Sequence, residues 1–188
     1  MSLLSYNQLI ELVQRGVLTA PESAVNAASI DLTLSDVILC ERPPRHGEIV
    51  QALDISNGER LPMQRIAMHS YGDEAYYDLV PGEFILASTV EIFNLPNNIS
   101  SEYMQKSSLA RNALEHLAAG WCDAGWNGSN LTLELVNVSR YRPIRLRPGM
   151  PIGQMKFFLH EEVPDKASYA TKGQYNSDLG VQQTKELK

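Results

Sequence analysis

Short apolar segments, several followed by a turn signal, are the feature that most constrains how this chain can fold. The segments are rich in β-branched and aromatic residues, which favour strands over helices. Pro-Gly or Asn-rich turns punctuate them at positions 81–83, 95–98 and 147–150. This pattern predicts a mainly β protein, folded as a sandwich or a barrel. The predicted strands are ASIDLTL (28–34), VILCE (37–41), AYYDLV (75–80), EFILAS (83–88), VEIFNL (90–95), LTLELVNV (131–138) and PIGQMKFFL (151–159).

One helix is predicted, near the N-terminus. Ser5 and Gln8 have the spacing of a capping box, and Gly16 is suited to end the helix. The apolar stripe between them consists of Leu9, Ile10, Leu12 and Val13.

The length of 188 residues predicts a single domain over 1–188, with a polar tail from about residue 164. The tail has few candidates for a core. It is either a frayed terminus or a segment that orders over a ligand or a neighbouring subunit.

The composition limits the partners and the compartment. A net charge of −6 argues against binding to nucleic acid or to a membrane surface, which needs a basic face. It does not exclude a small anionic ligand held by a local cluster of donors. Two cysteines, Cys40 and Cys122, predict free thiols in a reducing compartment. With no signal-peptide pattern and no apolar run of roughly 18 residues, we expect a cytoplasmic protein.

A first candidate site lies in KSSLAR (106–111), which groups two cations and two hydroxyls in an acidic chain. The structural interpretation is a serine N-cap followed by one or two helical turns. The functional interpretation uses the same geometry, because a helix N-terminus with hydroxyls and flanking cations binds anions such as phosphate. These residues alone leave both interpretations open.

A second candidate lies in AAGWCDAGWNGSNLTLELVN (118–137), where two glycine-containing turns flank Asp123. In the strand that follows, three leucines alternate with Thr132, Glu134 and Val136, so Glu134 and Thr132 share the face opposite the leucines. If that face meets solvent, Glu134 is an ordinary surface residue. If it lines a cleft, Glu134 is a carboxylate on a rigid strand, which suits a general base.

These segments, in this order, resemble the deoxycytidine triphosphate (dCTP) deaminase family, which shares its fold with trimeric deoxyuridine triphosphatase (dUTPase). The resemblance spans nearly the whole chain and is strongest over 78–158. The matching blocks are ASIDLTL, LVPGEFILASTVEIFNLP, KSSLAR, AGWCDAGW, LTLELVN and RLRPGMPIGQMKF.

The resemblance implies a dUTPase-like jelly roll with a short N-terminal helix, assembled as a homotrimer with active sites between subunits. It also implies nucleotide ligands of the dCTP and dUTP/dTTP type, with Mg²⁺ bound through the triphosphate. No catalytic metal held by the protein is expected. The composition agrees, since Cys40, Cys122 and the four histidines do not form the pattern of a zinc deaminase.

Catalytic roles carry over from the family by position. Glu134 is implied to be the proton shuttle, which activates a water molecule for attack on C4 of cytosine. Ser107 and Arg111 match residues that orient this carboxylate and the water. Ala119 matches the position whose backbone carbonyl faces the reaction centre.

Binding roles carry over in the same way. Lys106 and Ser108 match phosphate-facing positions, Asp123 matches the aspartate near the sugar, and Tyr169 and Lys172 match tail positions over the triphosphate. The implied substrate-binding set is Lys106, Ser107, Ser108, Leu109, Ala110, Arg111, Asp123, Thr132, Leu133, Glu134, Tyr169 and Lys172.

The chain departs from the family pattern at four places. Lys106 replaces an expected arginine, which keeps the charge but loses bidentate contact. Ala118 replaces a common threonine, which removes a hydroxyl near the chemistry. One residue is missing between Arg111 and His116, and one is added between Gly128 and Glu134.

The expected function is deamination of dCTP to dUTP and ammonia. One alternative is a bifunctional enzyme that also hydrolyses the triphosphate to dUMP and diphosphate, which the glycine of Ala119-Gly120-Trp121 favours. A second is a plain dUTPase, although Glu134 and SSLAR match the deaminase branch better. A third is a non-catalytic nucleotide-sensing protein, which the Ala118 change and the compressed spacing of the tail residues Tyr169 and Lys172 leave open.

Overall fold

Antiparallel strands form the framework of the protein. The computed structural model describes residues 1–71 and 74–185, with the backbone alone for 69–71 and 74. The strands are β1 (Ser2–Leu3), β2 (Ile30–Thr33), β3 (Val37–Glu41), β4 (Met63–Ala67), β5 (His69–Tyr71), β6 (Glu74–Leu79), β7 (Phe84–Asn94), β8 (Ile99–Gln105), β9 (Leu114–His116), β10 (Trp121–Cys122), β11 (Asn127–Asn137), β12 (Ile144–Leu146) and β13 (Pro151–Leu159). The helices are α1 (Tyr6–Gln14), α2 (Ser107–Ala110) and α3 (Tyr169–Lys172), with 3₁₀ turns at Glu22–Ala24, Ile55–Asn57 and Asp165–Ala167.

The strands form two five-stranded sheets and a smaller three-stranded one within the described residues. In the first sheet, β13 pairs with β8 on one side and with β1 and β2 on the other, and β10 extends β8. The second sheet has the order β4-β3-β7-β11-β9, and the third has the order β12-β6-β5. The predicted mainly β class is therefore confirmed.

The core lies between the two larger sheets, because strands from both contribute side chains that solvent does not reach. Alternation along β11 buries every second residue, as the sequence predicts. Fully buried side chains include Leu32, Ile85, Phe93, Leu133 and Phe157.

The N-terminal helix forms as predicted. The backbone N–H of Ser5 donates to Gln8 Oε1 at 3.1 Å, which is one half of the capping box. Gly16 ends the helix region with φ +71°, a left-handed conformation that glycine adopts without strain. Leu9 and Leu12 are buried. Among the described residues, no helix has the length and apolarity to span a membrane.

Two predicted strands, EFILAS and VEIFNL, are wrong as separate elements and form the single strand β7. The apparent break is a bulge, since Ser88 pairs with Thr132 while Ile92 pairs with Asn130. Within the bulge, Thr89 Oγ1 accepts a hydrogen bond from the backbone N–H of Leu131 at 3.0 Å. The side chain thus replaces a missing ladder partner, and the strand continues.

The C-terminal segment lies along β11 rather than free of the fold. Ser177 N–H donates to the Asn127 carbonyl at 3.0 Å, and Gln182 N–H donates to Thr132 Oγ1 at 3.1 Å. Val181 is only 4% exposed and packs with Leu39 and Leu86 in a cluster separate from the main core. For residues 164–185, the interpretation as a frayed terminus is therefore wrong.

Candidate active site

A cavity of ≈ 510 Å³ opens between β11 and the C-terminal segment. Its floor is apolar and comes from β7 and from the start of β4, and its walls mix apolar and polar side chains. The lining side chains are Leu61, Met63, Phe84, Leu86, Ala119, Trp121, Cys122, Asp123, Trp126, Asn130, Leu131, Thr132, Glu134, Tyr169, Tyr175, Asp178, Gln182, Gln183 and Thr184. The size is within the range of small-molecule sites.

Glu134 stands on the wall of this cavity, in the middle of β11 and opposite the buried leucines. Its side chain is 27% exposed, and Oε2 is enclosed 3.2 Å from His116 Nε2. The exposed part of the carboxylate is therefore Oε1, which opens into the cavity. Of the two interpretations of Glu134, the structure favours the residue of a cleft over the residue of an outer surface.

Asp123 and Trp121 form part of the rim and are joined to each other. The indole Nε1–H of Trp121 donates to Asp123 Oδ1 at 2.8 Å, which fixes the carboxylate at the mouth of the cavity. Gly120 makes this placement possible. A Cβ on Gly120 would lie 2.7 Å from Tyr103 Cβ, so only glycine lets β10 approach β8 this closely.

The two cysteines are free, as predicted, and both are buried. Burial raises the pKa of the Cys122 thiol to about 12, and the nearby Ser101 hydroxyl acts in the opposite direction. The thiol is therefore protonated near neutral pH and does not serve as a nucleophile, although it borders the cavity.

KSSLAR lies elsewhere on the protomer. The N-cap position of the single-turn helix α2 is occupied by Lys106, and Ser107 begins the helix, so the interpretation of a serine as N-cap does not hold. Ser107, Ser108 and Arg111 are exposed, and none of them lines the cavity. Lys106 Nζ lies 2.6 Å from Asp31 Oδ2. Within one protomer, the structure does not bring these residues to Glu134.

The other predicted site residues divide between the cavity and the rest of the fold. Ala119, Asp123, Thr132 and Tyr169 line the cavity with Glu134. The remaining four do not line it. The Leu133 side chain is fully buried in the core, Leu109 packs partly against the core, Ala110 is exposed, and Lys172 belongs to α3.

The charged side chains in the cavity lining are acidic. Within residues 1–71 and 74–185, its lining includes three carboxylates, on Asp123, Glu134 and Asp178, and neither lysine nor arginine. Lys185 Nζ lies 2.5 Å from Asp178 Oδ2 and offsets one of these charges. A bound polyphosphate therefore needs cations that this lining does not contain.

Irregular backbone lies near both of the expected changes in length. The register between β11 and β7 shifts between Asn127 and Ser129, and Gly128 has φ +65° there. Between Arg111 and His116, where one residue fewer is expected, Ala113 has a positive φ of 65°. The sequence did not indicate a role for His116, which lies beside Glu134.

Comparisons with known proteins agree with this architecture. A family model described as dCTP deaminase-like matches residues 3–160. A "dCTP deaminase, dUMP-forming" from Methanoregula boonei is 48% identical over 87 residues, which is 46% of this chain and 46% of that protein. A protein of the same name from Hydrogenobaculum sp. is 38% identical over 143 residues, or 76% of this chain and 72% of its own length. The chain thus matches about half the length of the first relative.

The fold also has a solved counterpart. The crystal structure of 2'-deoxycytidine 5'-triphosphate deaminase from Agrobacterium tumefaciens superposes with a TM-score of 0.62. The sequence identity is 20%, and the match covers 84% of this chain and 47% of that chain. At this identity the likeness concerns the fold.

Proposed function

Because this chain belongs to the dCTP deaminase-like family, whose model matches residues 3–160, we propose that it deaminates dCTP hydrolytically. The observation that carries the proposal is Glu134, a carboxylate held on a strand with one oxygen open to a cavity. A general base needs this arrangement, since it must be fixed in position and must still reach its substrate.

In the proposed reaction, Glu134 takes a proton from a water molecule whose oxygen bonds to C4 of cytosine. Glu134 passes this proton to N3 of the ring. It then moves the remaining proton of the new hydroxyl to the amino group, the C4–N bond breaks, and ammonia leaves. The product is a uracil nucleotide, and every proton is accounted for by one water molecule. The backbone carbonyl of Ala119, on the cavity rim, is assigned to hold the water or the leaving amine.

We propose that the site is completed by a neighbouring subunit of a homotrimer. Ser107 and Arg111 are exposed on the protomer and lie outside its own cavity, so a second copy can present them to Glu134. There they would orient the carboxylate and the attacking water. This assembly also supplies the cation that the lining of the cavity lacks.

We assign the phosphates to Lys106 and Ser108 and the deoxyribose to Asp123, with Tyr169 and Lys172 closing over the nucleotide. Lys106 would exchange its contact with Asp31 for phosphate. Mg²⁺ is proposed to arrive with the triphosphate as part of the substrate. Among the described residues, no group of three or more His, Cys, Asp or Glu side chains is placed to hold a metal ion.

The product is proposed to be dUMP rather than dUTP. The relatives described above carry the name "dCTP deaminase, dUMP-forming", which favours the bifunctional alternative over simple deamination. In the second step, water would cleave the bond between the α- and β-phosphates of dUTP and release diphosphate.

The test is to incubate the protein with dCTP and Mg²⁺ and to resolve the nucleotide products over time. We expect dUMP and diphosphate. Accumulation of dUTP alone would restrict the activity to deamination. Turnover of dUTP without turnover of dCTP would indicate a plain dUTPase. Binding of either nucleotide without any turnover would indicate a nucleotide-sensing protein.

A further inference from the structure

A histidine that the proposed mechanism does not use lies directly beneath the cavity. His116 ends β9, next to β11, and its side chain is only 4% exposed. Its ring packs against Tyr103 with 4.5 Å between the ring centroids. On its other side, Nε2 lies 3.2 Å from Glu134 Oε2.

The backbone fixes which nitrogen of this histidine carries the proton. The N–H of Ala118 donates to His116 Nδ1 at 3.2 Å, so Nδ1 is an acceptor and carries no hydrogen. A neutral imidazole with an unprotonated Nδ1 carries its hydrogen on Nε2. That hydrogen is on the nitrogen nearest Glu134. Ala118 presents its N–H from a left-handed conformation at φ 57°, which an alanine rarely adopts.

Nε2 of His116 and Oε2 of Glu134 have no well-aligned hydrogen bond to any described group, and both are shielded from solvent. Unpaired polar atoms in such surroundings are costly, and these two atoms lie only 3.2 Å apart. Each atom is therefore the natural partner of the other.

We propose that His116 is a positioning residue that holds Glu134 in its working orientation by donating from Nε2 to Oε2. The catalytic role of Glu134 in this inference rests on the proposed function. The donor fixes one carboxylate oxygen and leaves Oε1 to face the cavity, where the proton transfer takes place. Because Nε2 is enclosed, His116 does not touch the substrate and acts only through Glu134.

Three substitutions separate this role from simple packing. His116→Gln keeps a donor near the position of Nε2, whereas His116→Asn keeps only a polar group near the position of Nδ1. We expect His116→Asn to lower kcat on the order of 10- to 100-fold with little change in KM, as for a displaced catalytic group. We expect His116→Gln to restore most of the lost turnover. The matched control is His160→Gln, since His160 contacts Ser100 at 3.0 Å and does not line the cavity.

The kinetic outcome decides the positioning role. A His116→Asn enzyme with the parent kcat would overturn it. So would a His116→Gln enzyme that is no more active than His116→Asn, because the position of the donor would then not matter. A change in KM alone would also contradict the proposal.

Two measurements test the contact without relying on deamination. Nitrogen-15 NMR of labelled histidine should show the proton of His116 on Nε2 and not on Nδ1, and Glu134→Gln should shift that resonance. A double-mutant cycle of His116→Asn and Glu134→Gln, followed by unfolding free energy, should give a non-zero coupling. A proton on Nδ1, or no coupling, overturns the inference. A clear coupling in a protein that does not act on dCTP would contradict the proposed function and leave the contact established.

Discussion

At the scale of single residues, Glu134 matters because its two carboxylate oxygens have different surroundings. Oε2 is enclosed beside His116, and Oε1 opens into a cavity with an apolar floor. A carboxylate on a flexible loop would sample many orientations, whereas the ladder of β11 allows few. The proposed chemistry therefore depends on one side chain whose geometry the strand and the histidine determine together.

Replacing Glu134 with glutamine tests this directly. Glu134→Gln keeps the shape but removes the base, so we expect a loss of kcat of about 10²–10⁴-fold with nucleotide binding retained. The matched control is Glu11→Gln, which removes the same charge from an exposed position on α1. Steady-state kinetics and nucleotide titration measure the two effects. Turnover within tenfold of the parent would show that another group activates the water.

Substitutions in KSSLAR should separate orientation from binding. Ser107 is exposed and does not cap α2, so Ser107→Ala should leave the melting temperature nearly unchanged while it lowers kcat. Arg111→Ala should behave similarly. Lys106→Ala and Ser108→Ala should instead raise KM more than they lower kcat, as expected for uniform loss of phosphate binding.

Melting temperatures and both kinetic constants are needed for all four variants. Loss of the partly exposed Lys106–Asp31 pair should cost little stability. An unchanged kcat for both Ser107→Ala and Arg111→Ala would remove this segment from the proposed active site.

At the scale of elements, the sequence predicted the strands that are apolar or alternate clearly and missed those that do not. VILCE and PIGQMKFFL have the observed bounds of β3 and β13. In contrast, β8 contains buried Ser100 and Ser101, which carry no apolar signal. The short strands β9, β10 and β12 depend on partners far away in sequence, so local patterns do not identify them.

The candidate site was predictable only in part, for the same reason. The alternation along β11 correctly separated Glu134 from the core. Whether its face met solvent or a cavity depended on the C-terminal segment, in which only Ser168 and Val181 are buried among the described residues. Likewise, the contact of His116 with Glu134 arises from the pairing of β9 with β11, and no sequence motif predicts that pairing.

The C-terminal segment offers a matched pair of substitutions. Val181 is 4% exposed, whereas Leu179, two residues earlier, is 65% exposed. Val181→Asp should detach the segment, because it buries a charge and loses about 1.5–3 kcal/mol of apolar burial. Leu179→Asp should leave it in place.

Limited proteolysis and hydrogen exchange report the detachment, and KM for the nucleotide should rise only in the Val181 variant. Equal protection of residues 174–185 in both variants would show that Val181 does not anchor the segment.

At the scale of the whole molecule, the charge is divided between two surfaces. The cavity lining contains carboxylates, whereas the half-buried Lys106 and the exposed Arg111 of KSSLAR lie outside it. Ser107 and Arg111 do not line the cavity of their own protomer, whereas a rotated second copy can present them to it. This division is the main physical support for the proposed trimer.

Mixed trimers test this assembly. Arg111→Ala and Glu134→Gln subunits, each with strongly lowered turnover alone, should together reach about a quarter of the parent activity when co-expressed in equal amounts, because random assembly makes that share of interfaces intact. Mixing Arg111→Ala with Ser107→Ala is the control, since both changes affect the same surface and no interface is repaired. Recovery at the level of this control would place the complete site within a single subunit.

The dependence of turnover on Mg²⁺ is also a property of the whole molecule. Chelation should abolish turnover and Mg²⁺ should restore it, because an acidic cavity needs the ion to neutralise the triphosphate. The purified protein should carry no stoichiometric zinc. Zinc in elemental analysis at one equivalent per chain would contradict activation of water by a carboxylate alone.

The two faces of β11 also have a consequence for changes in chain length. Side chains alternate between the two faces of a strand. An insertion of one residue between Leu131 and Glu134 would therefore turn the carboxylate into the core and a leucine toward the cavity. An insertion of two would keep both faces. The bulge at Gly128 precedes the regularly alternating part of β11. An extra residue at the bulge changes the loop without changing the direction of Glu134. Beyond the bulge, only changes of length in even steps are therefore expected to keep Glu134 facing the cavity.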